Sequence, residues 1–120
     1  MPEPYAFIDN EFKKASEAKI SILEPTVTKS DAVYDTLSVL DKKIFRFDDH
    51  LQRFKNSCAD MEINIPHSDD EIKDIAIECI IRSEYKNAIF MLIGRRGPYS
   101  DLSKRDPRTC KNGLIVVVVP

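Results

Sequence analysis

At 120 residues and 13.8 kDa the chain has the length of one domain with a modest core, too short for two ordinary ones. Its 42% hydrophobic and 32% charged content is that of a soluble globular protein, and a net charge of −2 with a pI near 5.7 excludes a broad basic nucleic-acid surface while leaving room for a local basic loop. No apolar run reaches the roughly 18 residues a membrane span requires, and no basic start precedes an apolar segment. Neither a membrane nor a nucleic acid is therefore expected as a partner, and the cytoplasm is the expected location.

Taken in chain order, Pro2 and Pro4 make a loose start. Tyr5 to Ile8, the pair Asp9-Asn10 and Glu11 to Lys14 predict a short two-stranded ribbon with an Asx-type turn. Ala18 to Leu23 suggests a further short strand, and Pro25, Thr26 and Lys29 a polar loop.

Residues 31–58 organise the rest. Val33, Asp35, Leu37 and Val39 alternate with Tyr34, Thr36 and Ser38, the period of two that a strand requires. Asp41, Lys42 and Lys43 interrupt this run and Ile44 to Phe47 resume it, which predicts a hairpin. A helix follows, with Asp49 and Gln52 spaced as a capping box and Leu51, Phe54, Cys58 and Met61 recurring as one apolar face. Arg53 lies roughly 120° from the centre of that face, at about 100° per residue. It must meet solvent, a ligand or a carboxylate, for which Asp49 and Asp60 are candidates.

Ser68 and Glu71 form a second capping box ahead of Ile72, Ile75, Ala76, Cys79 and Ile80, predicting a packing helix to about Ser83. Asn87 to Arg95 is apolar enough for a central strand, residues 96–112 make a long polar loop, and Leu114 to Val119 is another buried strand. The run from Arg95 to Arg108 contains five basic residues, Arg95, Arg96, Lys104, Arg105 and Arg108, and Gly94 and Gly97 would ease movement of the loop. The acidic runs Asp48-Asp49 and Asp69-Asp70-Glu71 sit at helix starts, where the helix dipole favours them, and are not paired catalytic carboxylates. Cys58, Cys79 and Cys110 are odd in number and widely spaced, so neither a disulfide framework nor a metal site is suggested. A buried strand of four valines before Pro120 gives the expectation of the front part of something longer, or of a domain completed by a second copy.

The run Ser30-Asp31-Ala32-Val33-Tyr34-Asp35-Thr36-Leu37-Ser38-Val39, followed after a short turn by Phe45-Arg46-Phe47-Asp48-Asp49-His50-Leu51-Gln52-Arg53-Phe54, resembles the N-terminal small domain of the class IV (fold-type IV) aminotransferases. The wording is closest to the (R)-selective amine transaminase and branched-chain aminotransferase-like branch. Arg96-Gly97 and the closing Val-Val-Pro extend the similarity over nearly the whole chain. The resemblance implies a single small domain over 1–120, pyridoxal 5'-phosphate as cofactor of the parent enzyme, an amino donor and keto acceptor as substrates, and a homodimer. It implies that Arg53 binds the cofactor phosphate, that His50 packs at the domain junction, and that Tyr34, Thr36, Arg96, Lys104 and Arg105 line the substrate pocket.

The lysine that carries the cofactor in this family belongs to a larger C-terminal domain, and no lysine here matches it. The isolated chain is therefore expected to be inactive. The expected fold is α+β, a mostly antiparallel sheet of five or six strands with two helices on one face. Two rival readings stay open: a non-catalytic module that dimerises and binds an anion or a partner protein, and the small domain of a lyase such as aminodeoxychorismate lyase.

Overall fold

The computed structural model describes residues 2–120. Its strands are β1 (Tyr5–Ile8), β2 (Glu11–Lys14), β3 (Ala32–Leu40), β4 (Lys43–Ile44), β5 (Ala88–Arg95) and β6 (Gly113–Val119). The helices are α1 (Pro25–Thr28), a single turn, α2 (Phe47–Asp60) and α3 (Asp69–Ser83). All six strands form one antiparallel sheet in the order β2-β1-β6-β5-β3-β4. Both long helices cover one face, α2 over β3 and α3 over β1 and β6. This is the expected α+β architecture.

The hydrophobic core lies between that sheet face and the helices. Leu37, Val39, Phe90, Leu92, Val116 and Val118 supply the sheet side, and Phe47, Leu51, Phe54, Ile72, Ala76 and Cys79 the helix side. β5 is central, as its apolar run predicts, but β5 and β6 are not buried on both faces. On β6, Leu114, Val116 and Val118 are fully buried, while Ile115, Val117 and Val119 remain half-open on the outer face, which no helix among the described residues covers. No helix among them is long and apolar enough to cross a membrane.

Three local expectations are corrected. Residues 18–23 form no strand, and Pro25 opens a helical turn after Glu24 rather than a loop. The β3–β4 turn is the two-residue pair Asp41-Lys42, both at positive φ (52° and 62°), the left-handed pair a tight hairpin uses.

β4 then stops at Ile44, because Arg46 adopts a left-handed conformation (φ 54°, ψ 47°) that turns the chain into α2. The helix thus begins at Phe47, without a side-chain cap. Gln52 hydrogen-bonds Asn56 instead of closing a box with Asp49. Phe47 is buried, whereas Met61 is the exposed residue that ends the helix. At α3 the Ser68/Glu71 box forms as expected, the Glu71 N–H donating to Ser68 Oγ at 3.2 Å and the Ser68 N–H to Glu71 Oε1 at 2.9 Å.

Candidate functional site

β3 positions the candidate site. Its pleat sends Asp35, Leu37 and Val39 toward the helices and Tyr34 and Thr36 to the opposite face. Asp35 is thus a carboxylate at a core position, its side chain only 4% exposed. A buried carboxylate must be hydrogen-bonded to be tolerated. Two donors from α2, three residues apart and so on one side of the helix, provide this.

Arg53 Nε donates to Asp35 Oδ2 at 2.6 Å and Arg53 Nη2 to Oδ1 at 2.9 Å, a side-on bidentate pair. His50 Nδ1 lies 2.7 Å from Oδ1 and donates to the carboxylate. Burial pushes the Asp35 carboxyl up, but the hydrogen bonds and charges of Arg53 and His50 outweigh it and hold the group below the usual carboxylate range. The hydrogen bond to Asp35 in turn keeps the Arg53 guanidinium firmly protonated. Even so, the Arg53 side chain is 67% exposed, and its Nη1 has no partner among the described residues. A guanidinium held on one edge and open on the other can receive an oxyanion.

Tyr34 and Thr36 are exposed on the outer sheet face beside their cross-strand neighbours Ile93 and Met91. One layer of sheet separates them from Arg53. Because β4 pairs only with Val39 and Leu40, the edge of β3 from Val33 to Leu37 is unpaired among the described residues.

Residues 32–120 match the family model described as amino-transferase class IV. The chain belongs to the class IV aminotransferases. It is 25% identical over 115 residues to a putative branched-chain-amino-acid aminotransferase of Methanocaldococcus jannaschii, covering 95% of this chain and 39% of that protein. It is likewise 25% identical over 91 residues to a D-alanine aminotransferase of Staphylococcus haemolyticus, covering 76% of this chain and 32% of that one.

Among solved structures, the Escherichia coli branched-chain amino acid aminotransferase superposes with a TM-score of 0.86 at 17% identity, covering 98% of this chain and 41% of the other. The branched-chain aminotransferase of the thermophilic archaeon Thermoproteus uzoniensis, solved with norvaline, gives 0.75 at 17% identity, with 96% and 39% covered. At these identities the likeness establishes the fold. The chain spans about two-fifths or less of the proteins it matches.

In this class IV aminotransferase chain Arg96 anchors the base of the 96–112 loop. Its Nε donates to Asp31 Oδ2 at 2.8 Å, its Nη1 to the Glu62 carbonyl at 3.0 Å and its Nη2 to the Met61 carbonyl at 2.6 Å. It ties the loop to the start of β3 and the end of α2. Lys104 and Arg105 are exposed near the far end of the loop, and no hydrogen bond or ion pair joins either side chain to Tyr34, Thr36 or Arg53 among the described residues.

The two glycines serve close approach rather than loop movement. Gly94 lies inside β5 against α2, and a Cβ on Gly97 (φ 84°) would fall 1.6 Å from the Lys111 carbonyl oxygen.

Sequence reasoning misses Asp35 as a site residue, and misses the pairing of Glu24 with Arg95. A polar residue on the inward phase of an otherwise apolar strand is the signal for Asp35. For Glu24 and Arg95, 71 positions apart, the sequence carries no local signal.

Proposed function

We propose that this chain is the small domain of a pyridoxal-phosphate-dependent aminotransferase acting on an amino acid or amine, with Arg53 holding the cofactor phosphate. The observation that carries this reading is the exposed Arg53 guanidinium, braced along one edge and open along the other. A phosphate needs fixed N–H donors and positive charge at the surface. Arg53 meets both needs, since it stays charged and its Nη1 is free among the described residues.

When bound, pyridoxal phosphate supplies the electron sink for amino-group transfer, which side chains alone do not offer. The chain's own residues bind and orient. Tyr34 and Thr36 form a pocket wall with a phenol and a hydroxyl facing outward, and the open edge of β3 lets one ligand meet Arg53 and Tyr34 together. Lys104 and Arg105 supply cations for a substrate carboxylate, carried on a loop whose base Arg96 anchors.

The lysine that holds the cofactor is assigned to a further domain of the same protein, so these 120 residues alone are proposed to lack transaminase activity. The half-open apolar outer face, with Ile89, Met91, Ile93 and Val117, supports coverage by additional protein, either that domain or a second copy in a homodimer.

The test is Arg53→Ala in the protein as natively encoded. Pyridoxal phosphate affinity, read by equilibrium dialysis, should fall about tenfold or more, the scale of one lost charge-assisted contact. Equal affinity in variant and parent discards the assignment.

A further inference from the structure

We infer that Asp35 is a positioning residue for anion capture: with His50 bracing it, it aims the Arg53 guanidinium so that the Nη1 side faces an incoming phosphate. The inference rests on the phosphate role proposed for Arg53 and adds the residues that make that role effective.

Arg53 is mostly solvent-exposed, and an exposed arginine samples many rotamers that it must surrender to grip a ligand. Here the surrender has already taken place. The carboxylate that holds it belongs to a strand flanked on the other side by β5, and its side chain is 4% exposed, so it offers a fixed anchor. Both of its oxygens are engaged, Oδ2 by Arg53 Nε, and Oδ1 by Arg53 Nη2 and His50 Nδ1. This side-on geometry consumes the Nε/Nη2 edge and leaves the Nη1 end outward. A donor pre-set in this way binds an anion without a further ordering cost, which is how preorganisation raises affinity.

Two opposing effects are in play. The negative charge of Asp35 lowers the net attraction for phosphate, whereas its fixed position raises the fraction of time Arg53 is ready to bind. Arg53 Nη1 is not in contact with Asp35, and solvent screens the carboxylate from a ligand on the far side of the guanidinium, so positioning dominates.

The experiment compares pyridoxal 5'-phosphate with pyridoxal, which lacks the phosphate, as probes of the natively encoded protein and its Asp35→Asn, Arg53→Ala and double variants. Asp35→Asn should lose about tenfold in affinity for pyridoxal 5'-phosphate and nothing for pyridoxal, and the double variant should bind no worse than Arg53→Ala alone. Loss for both probes equally, losses that multiply in the double variant, or unchanged phosphate affinity in Asp35→Asn would each overturn the positioning role. Unchanged affinity in Arg53→Ala would instead remove the phosphate reading itself. Should Asp35→Asn fail to fold, His50→Phe removes the brace from a partly exposed position and should produce a smaller loss, about threefold, again for the phosphate-bearing probe only; no loss there overturns the proposal.

Discussion

The backbone of Gly94 in β5 lies directly against the thiol of Cys58 in α2. A Cβ added at Gly94 would meet Cys58 Sγ at 2.9 Å, with Val33 Cγ2 at 3.1 Å and Ile65 Cδ1 at 3.4 Å. The helix that carries Arg53 is thus seated on the sheet through a contact that only glycine permits. Gly94→Ala should destabilise the fold by about 1–3 kcal/mol, the usual range for overpacking a core. Adding Cys58→Ala should restore part of the loss by vacating the space. Urea unfolding of the single and double variants measures both, and an unchanged midpoint in Gly94→Ala would show that α2 does not depend on this close approach.

Arg95 and Glu24 form a bidentate pair with both side chains almost fully buried, and Arg95 Nη1 also reaches the exposed Asp9 at 2.9 Å. Burial lowers the Arg95 pKa, but the hydrogen bonds and charges of Glu24 and Asp9 outweigh it, and the group stays ionised. Removing Glu24 leaves a buried cation with only a surface partner. Glu24→Ala should cost about 3–5 kcal/mol, whereas Asp9→Asn, which removes the charge but suits the left-handed conformation of Asp9 (φ 52°), should cost under about 1 kcal/mol. Denaturation curves showing equal, small losses for the two would contradict this ranking.

The elements legible in the sequence are those encoded locally. The alternation from Val33 to Val39 predicts β3, and Ser68 with Glu71 marks the start of α3, because each signal lies within a few neighbouring residues. The wheel position of Arg53 correctly turns it away from the core. Its partner is not the one expected, since Asp49 and Asp60 share its helix while Asp35 is brought to it by the chain folding back over β3. The start of α2 differs from expectation for another reason: Arg46 sets it through a left-handed backbone conformation, which side-chain pattern does not encode. The four-valine run suggests burial on both faces. The pattern shows that both faces are apolar, and among the described residues the helices bury only the one that carries Leu114, Val116 and Val118.

The depressed Asp35 carboxyl makes stability depend on pH in a stated direction. A carboxyl held below its unfolded value, about 3.9 for aspartate, contributes stability above that value. It loses that contribution as pH falls through the folded one. Stability should therefore drop on acidification below about pH 4, and Asp35→Asn should flatten that part of the profile while leaving the rest of the acid response. Urea midpoints at about pH 5 and about pH 3, on either side of that value, provide the measurement for both proteins. Parallel profiles would mean that Asp35 titrates alike in the folded and unfolded chains.

The three cysteines should separate by reactivity, as the apolar helix positions of Cys58 and Cys79 and the polar loop position of Cys110 lead one to expect. Burial desolvates the thiolate, pushing Cys58 up to about 11 and Cys79 up to about 12, while Cys110, only half-buried, is raised chiefly by the same cause. Each unit of pKa above the working pH removes about tenfold of the reactive thiolate, so the two helix thiols should be almost inert near neutral pH. Access acts in the same direction, since Cys58 and Cys79 face the core that joins α2 and α3 to the sheet. Iodoacetamide followed by intact-mass analysis should give one adduct on the folded protein, at Cys110, and modification of all three cysteines in denaturant. Labelling of Cys79 as fast as Cys110 under native conditions would mean that α3 opens from the sheet far more readily than its packing implies.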